Sequence, residues 1–118
     1  MVELRGELRL SDINKRVTLN VAYVFPGQGS QSVGMLADLE KNHALISKLF
    51  AQVSDRLGYD LWHLIQEGPE TQLNQTEYTQ AAMLTADVAV FKLLESFGAV
   101  KAKLMAGHSL GEYAALVC

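Results

Sequence analysis

A serine stands between two glycines at Gly107-His108-Ser109-Leu110-Gly111, the G-x-S-x-G spacing of a nucleophile elbow. The chemistry served by that spacing is attack of a serine hydroxyl on an acyl carbonyl, with an ester as intermediate. The turn is tight, so the residues flanking the serine must lack Cβ atoms for strand and helix to approach and for Oγ to project. Given that glycine is about 7% of residues, roughly 4 chains in 100 of this length would carry the pattern by accident, so its surroundings must decide. They supply the required context: "AKLMAG" reads as a short apolar strand leading in, and "LGEYAALVC" as a helix leading out. That helix would aim free N–H groups and its positive dipole end at a developing oxyanion, with the Leu110 N–H as first donor. The plainer alternative is a glycine-rich helix start in which Ser109 only caps.

The elements that must position this turn follow from apolar periodicity. Val21, Ala22, Val24 and Phe25 form a near-continuous apolar run stopped by Pro26-Gly27, which predicts a strand buried on both faces. Asn42 is placed to cap a helix carrying Ile46, Leu49, Phe50, Val53 and Leu57, with Gly58 as its left-handed stop. Asp60 is placed to cap a shorter helix, "LWHLIQE", halted at Gly68-Pro69. A longer helix is predicted over 77–97, with Met83, Ala86, Val90, Leu93 and Phe97 on one stripe and Gly98 ending it. The order strand, helices, strand, tight turn, helix predicts an α/β fold with parallel strands.

The chain has 118 residues, enough for one domain, and 49% hydrophobic against 19% charged residues places it among globular proteins. A net charge of −3 with scattered basic residues argues against nucleic acid or an anionic membrane as partner. No run reaches the roughly 18 apolar residues of a membrane span. The N-terminal "MVELRGELRLSDINKR" lacks the apolar core of a secretory signal, so a cytoplasmic location is expected. One cysteine, Cys118, leaves no intrachain disulfide and no Cys-based zinc site, and neither a metal nor a bound cofactor is expected. Residues 1–20 read as an N-terminal extension that packs poorly.

Two separated stretches, "FPGQGSQSVGML" at Phe25–Leu36 and "AGHSLGEYAALV" at Ala106–Val117, together resemble the malonyl-CoA:acyl-carrier-protein transacylases and the related acyltransferase domains of polyketide synthases. "GYDLW", "EGPETQLNQT" and "TQAAMLTADVA" resemble the family in the same order, so the likeness covers residues 21–118. It implies that Ser109 accepts the acyl group, that Leu110 and Gln28 supply oxyanion-hole N–H groups, that His108 precedes the nucleophile without being the base, and that Gln80 lies near the substrate cleft. The implied reaction moves malonyl from coenzyme A to the phosphopantetheine thiol of acyl carrier protein through a serine ester. The coenzyme A thioester is thus a substrate rather than a cofactor.

The implied fold is the N-terminal portion of an α/β-hydrolase-like large subdomain. The family's histidine base, its carboxylate-binding arginine and its ferredoxin-like small subdomain fall beyond the position of Cys118. His43 and His63 are expected to be surface or partly packed residues, so the chain alone is expected to be a truncated and inactive piece. The usual proline after Thr79-Gln80 is replaced by Ala81. Two other readings stand beside this one: a serine esterase or thioesterase, and a noncatalytic fragment that binds acyl carrier protein or another partner.

Overall fold

The chain is described from a computed structural model covering residues 20–118. The proposed extension, apart from Asn20, lies outside the described residues.

Strand β1 (Ala22–Phe25) is followed by helices α1 (Ala37–Asn42), α2 (Ala44–Leu57), α3 (Leu61–Glu67), α4 (Glu70–Leu73) and α5 (Thr76–Ser96), then by strand β2 (Leu104–Gly107) and helix α6 (Gly111–Val117). The strands pair in parallel from Ala22 opposite Leu104 to Phe25 opposite Gly107. The pairing extends beyond both ends, since Lys103 N–H donates to Val21 O at 2.9 Å and His108 N–H to Phe25 O at 3.0 Å. A parallel pair needs a long crossover, and the helical stretch between the strands provides it.

The helices end where side-chain and glycine chemistry ends them. Gly58 takes φ 81° and donates its N–H to Ser54 O, closing α2. Asp60 Oδ1 accepts from His63 N–H at 2.9 Å and caps α3. Ser54 Oγ joins the two helices by accepting from Leu61 N–H at 2.9 Å. The start of α2 departs from expectation: Asn42 is the last residue of α1, and extended His43 precedes α2 without a side-chain cap. The chain therefore breaks between two short helices where one start was predicted.

The core forms where α2, α3 and α4 meet one side of α5. Ile46, Phe50, Leu61, Ile65 and Leu73 are fully buried there, each contributing about 1.5–3 kcal/mol of apolar transfer. Ala82, Ala86 and Ala89 give α5 a surface smooth enough for close approach. Phe97, expected on the buried stripe, is instead 48% exposed, because α5 ends at Ser96 and the chain turns away at Gly98.

The sheet is covered on one face only. Tyr23 and Phe25 point toward α5, where each ring packs against Phe91, at centroid separations of 6.0 and 6.3 Å. Val24 and Leu104 point the other way and are 73% and 66% exposed. The expectation of a strand buried on both faces is thus corrected. An apolar run shows that a strand can be buried twice, but burial also requires a second layer, and none of the described elements provides it.

Candidate active site

Ser109 follows β2 by two residues and precedes α6 by two, at the turn where strand becomes helix. Its φ is +54°, a left-handed conformation that costs a residue with a Cβ atom about 1–3 kcal/mol. The turn is held by Gly111 N–H to His108 O at 3.0 Å and Glu112 N–H to Ser109 O at 3.0 Å. Ser109 is exposed, and no side-chain cap bond is made at the start of α6. The capping alternative is therefore not what the serine does.

Close approach explains the glycines. A Cβ on Gly107 would lie 2.0 Å from Gly111 C, and one on Gly111 would lie 2.2 Å from Phe25 O. A third glycine, missed as a site residue in the sequence, completes the contact: a Cβ on Gly27 would lie 2.2 Å from His108 O and 3.3 Å from Leu110 N. The signal for it was the Pro26-Gly27 stop after β1. Parallel pairing brings the two strands' C-terminal ends together, so the loop after β1 necessarily meets the elbow after β2. Gln28, Leu110 and Ser109 are thereby gathered from opposite ends of the described chain.

Two backbone donors of this loop are satisfied within it. Ser30 N–H donates to Gly27 O at 3.2 Å, and Gly29 N–H donates to Gln31 Oε1 at 2.7 Å. Among the described residues, neither the Gln28 N–H nor the Leu110 N–H donates to a protein acceptor. Helix α6 begins at Gly111, so the Leu110 N–H precedes its first turn.

Gln80 is exposed on α5, one turn after Thr76 and on the same helix face. Gln28 Nε2 donates to Thr76 Oγ1 at 3.3 Å, which sets that face beside the glutamine loop. The histidines are not brought to the serine: His43 packs its ring on Phe97 at 5.1 Å, His63 is exposed on α3, and no ring hydrogen-bonds the Ser109 hydroxyl among the described residues.

Asp87 is an unforeseen polar residue. It lies on α5 at 7% exposure, its Oδ2 has no hydrogen-bond partner, and burial raises its pKa to about 6. It lines an apolar groove of about 400 Å³ beside Phe25, Met83 and Phe91. The sequence did hold a signal, since position 87 falls within the apolar stripe through Met83, Ala86 and Val90.

Parallel strands, a serine held at positive φ and glycines packed backbone to backbone give the strand–turn–helix geometry that the G-x-S-x-G spacing requires. Residues 22–118 match the acyl transferase domain family, and the chain belongs to that family. A malonyl CoA-acyl carrier protein transacylase of Haemophilus influenzae is 57% identical over 98 residues, covering 82% of this chain and 31% of that protein. A crystal structure of an acyl carrier protein S-malonyltransferase from Vibrio cholerae superposes with a TM-score of 0.81 at 56% identity, covering 82% of this chain and 32% of that one. A malonyl-transacylase solved in complex with its type II polyketide acyl-carrier protein matches with a TM-score of 0.83 at 55% identity, over 85% of this chain and 32% of that chain. The chain thus spans about a third of the length of the relatives it matches. Among the described residues, no helix is long and apolar enough to cross a membrane.

Proposed function

We propose that this chain carries the nucleophile and oxyanion-binding half of a malonyl transfer from coenzyme A to acyl carrier protein in fatty-acid synthesis. Ser109 Oγ attacks the thioester carbonyl, its hydroxyl proton passing to water, and the Gln28 and Leu110 N–H groups stabilise the tetrahedral oxyanion. Collapse breaks the C–S bond and expels coenzyme A as a thiolate, whose pKa near 8.5 makes it a tolerable leaving group. The phosphopantetheine thiol of acyl carrier protein then attacks the serine ester and restores the hydroxyl. Gln80, on the helix face beside the glutamine loop, contacts the bound acyl thioester.

One observation carries this reading: Gly27 is packed on the elbow, so that two undonated N–H groups flank a serine held at positive φ. Each such donor is worth about 2.7–4 kcal/mol in the transition state. A general base is what the chain's histidines do not provide, and serine enzymes stripped of their base lose about 10⁴–10⁶ in rate. Slow acylation by the chain alone is the expected result.

The test is incubation of the 118-residue chain with malonyl-CoA, followed by intact-mass and peptide mapping and then by transfer to holo acyl carrier protein. A single malonyl ester on Ser109, absent in Ser109→Ala, is expected. Label elsewhere, or label that survives Ser109→Ala, would refute the assignment. A rate near that of the Haemophilus influenzae relative would refute the missing base.

A further inference from the structure

We propose that Gln31 and Asn74 are positioning residues that hold the glutamine loop against the elbow and keep the undonated Gln28 N–H in place; this rests on the acyl-transfer reading above. Within the loop, the carboxamide of Gln31 works in two directions. Its Oε1 accepts from Gly29 N–H at 2.7 Å, and its Nε2 donates to Asn74 Oδ1 at 2.9 Å. The first bond fixes the orientation of the amide, because only its oxygen can accept from a backbone N–H. The second then ties the loop to the junction between α4 and α5, 43 residues away in sequence.

That junction is a firm anchor. Asn74 N–H donates to Glu70 O at 2.9 Å, and neighbouring Leu73 is fully buried. Thr79 Oγ1, buried beneath the junction, bonds Leu73 O at 2.5 Å and Gln75 O at 3.1 Å. The loop is therefore sprung between two rigid bodies, the elbow through Gly27 and the start of α5 through Gln31 and the weaker Gln28–Thr76 bond at 3.3 Å. Without the Gln31 bonds, Gly29 at φ +106° is free to rotate and to carry the neighbouring Gln28 peptide with it. A donor aimed at an oxyanion must be held within about 0.5 Å, and that tolerance has to come from such supporting bonds.

The reading is tested on the full chain through the limiting rate of Ser109 acylation at saturating malonyl-CoA, since residual catalysis without a base comes from the oxyanion hole and binding. Gln31→Met and Asn74→Leu are expected to lower that rate about 10–100-fold with the half-saturating concentration unchanged. Asn74→Asp keeps an acceptor for Gln31 Nε2 and is expected to retain most of the rate. A second readout needs no turnover: in ¹H–¹⁵N spectra, Gln31→Met should expose the Gly29 amide to hydrogen exchange and shift the Gln28 and Leu110 resonances. Unchanged Gln28 and Leu110 resonances, or equal loss of rate in Asn74→Asp and Asn74→Leu, would overturn the positioning role. If acylation is unaffected by Ser109→Ala, the underlying reading fails instead, and the spectra judge the loop independently.

Discussion

Replacing Gly27 by alanine perturbs a backbone-to-backbone contact that joins the glutamine loop to the serine turn. The added methyl would sit 2.2 Å from His108 O and 3.2 Å from His108 C, both backbone atoms that cannot swing aside. A carbon normally stays about 3.3 Å or more from a carbonyl oxygen, so loop and elbow must separate by about 1 Å. Over-packing of this kind costs about 1–3 kcal/mol of stability. A misplacement of about 1 Å near the chemistry costs about 100-fold in rate. The informative control is Gly34→Ala: Gly34 has φ +90°, but a Cβ there meets nothing within 4 Å, so that variant also loses about 1–3 kcal/mol through strain alone, at a position whose N–H bonds Ile65 O on α3. Urea unfolding followed by circular dichroism should show similar losses in both variants, while the rate of malonyl ester formation on Ser109 falls only in Gly27→Ala. If both variants acylate at the wild-type rate, or both lose it equally, loop placement does not set the reactivity of Ser109.

Three further outcomes are expected. Ser109→Gly removes the strain of φ +54° and should raise stability by about 1 kcal/mol, after allowing for the greater chain entropy of glycine, while abolishing acylation; Ser109→Ala keeps the strain and should match wild type in urea midpoint. Asp87, with its folded pKa raised to about 6, holds a proton that the unfolded chain has released, so stability should fall as pH rises from about 4 through about 6. The Cys118 thiol, pushed up by burial and by the Asp87 and Glu95 carboxylates, stays neutral over that window. Holding that proton up to about pH 6 corresponds to at most about 3 kcal/mol, and solvent reaching the groove reduces this to about 1 kcal/mol. Asp87→Asn should therefore be more stable than wild type at pH 8 and lose that advantage at pH 4, as read by thermal melts in matched ionic strength. Asp60→Ala deletes the cap on α3 and should cost about 1 kcal/mol in urea denaturation without changing acylation.

Local chemistry was legible in the chain itself. Gly58 and Asp60 set helix boundaries because left-handed glycine and side-chain capping act within a few residues. The serine between Gly107 and Gly111 announced its own turn for the same reason, since the approach of strand and helix is a contact between near neighbours. The order of elements, with two short apolar runs far apart and helices between, also sufficed for a parallel pair.

What depended on partners distant in sequence was not legible. Val24 reads as apolar whether or not a second layer covers it, so its 73% exposure is decided by which elements reach that face. Gly27 looked like a strand stop, and only the register of β1 against β2 turns it into the surface that bears on Leu110. The bond from Gln31 to Asn74 joins residues whose separation follows no helical or strand period. Sequence periodicity reports the face that a residue occupies on its own element, because backbone geometry repeats along the chain. Which amides remain undonated beside Ser109 is set by how separate elements pack, and that was decided by the tertiary structure.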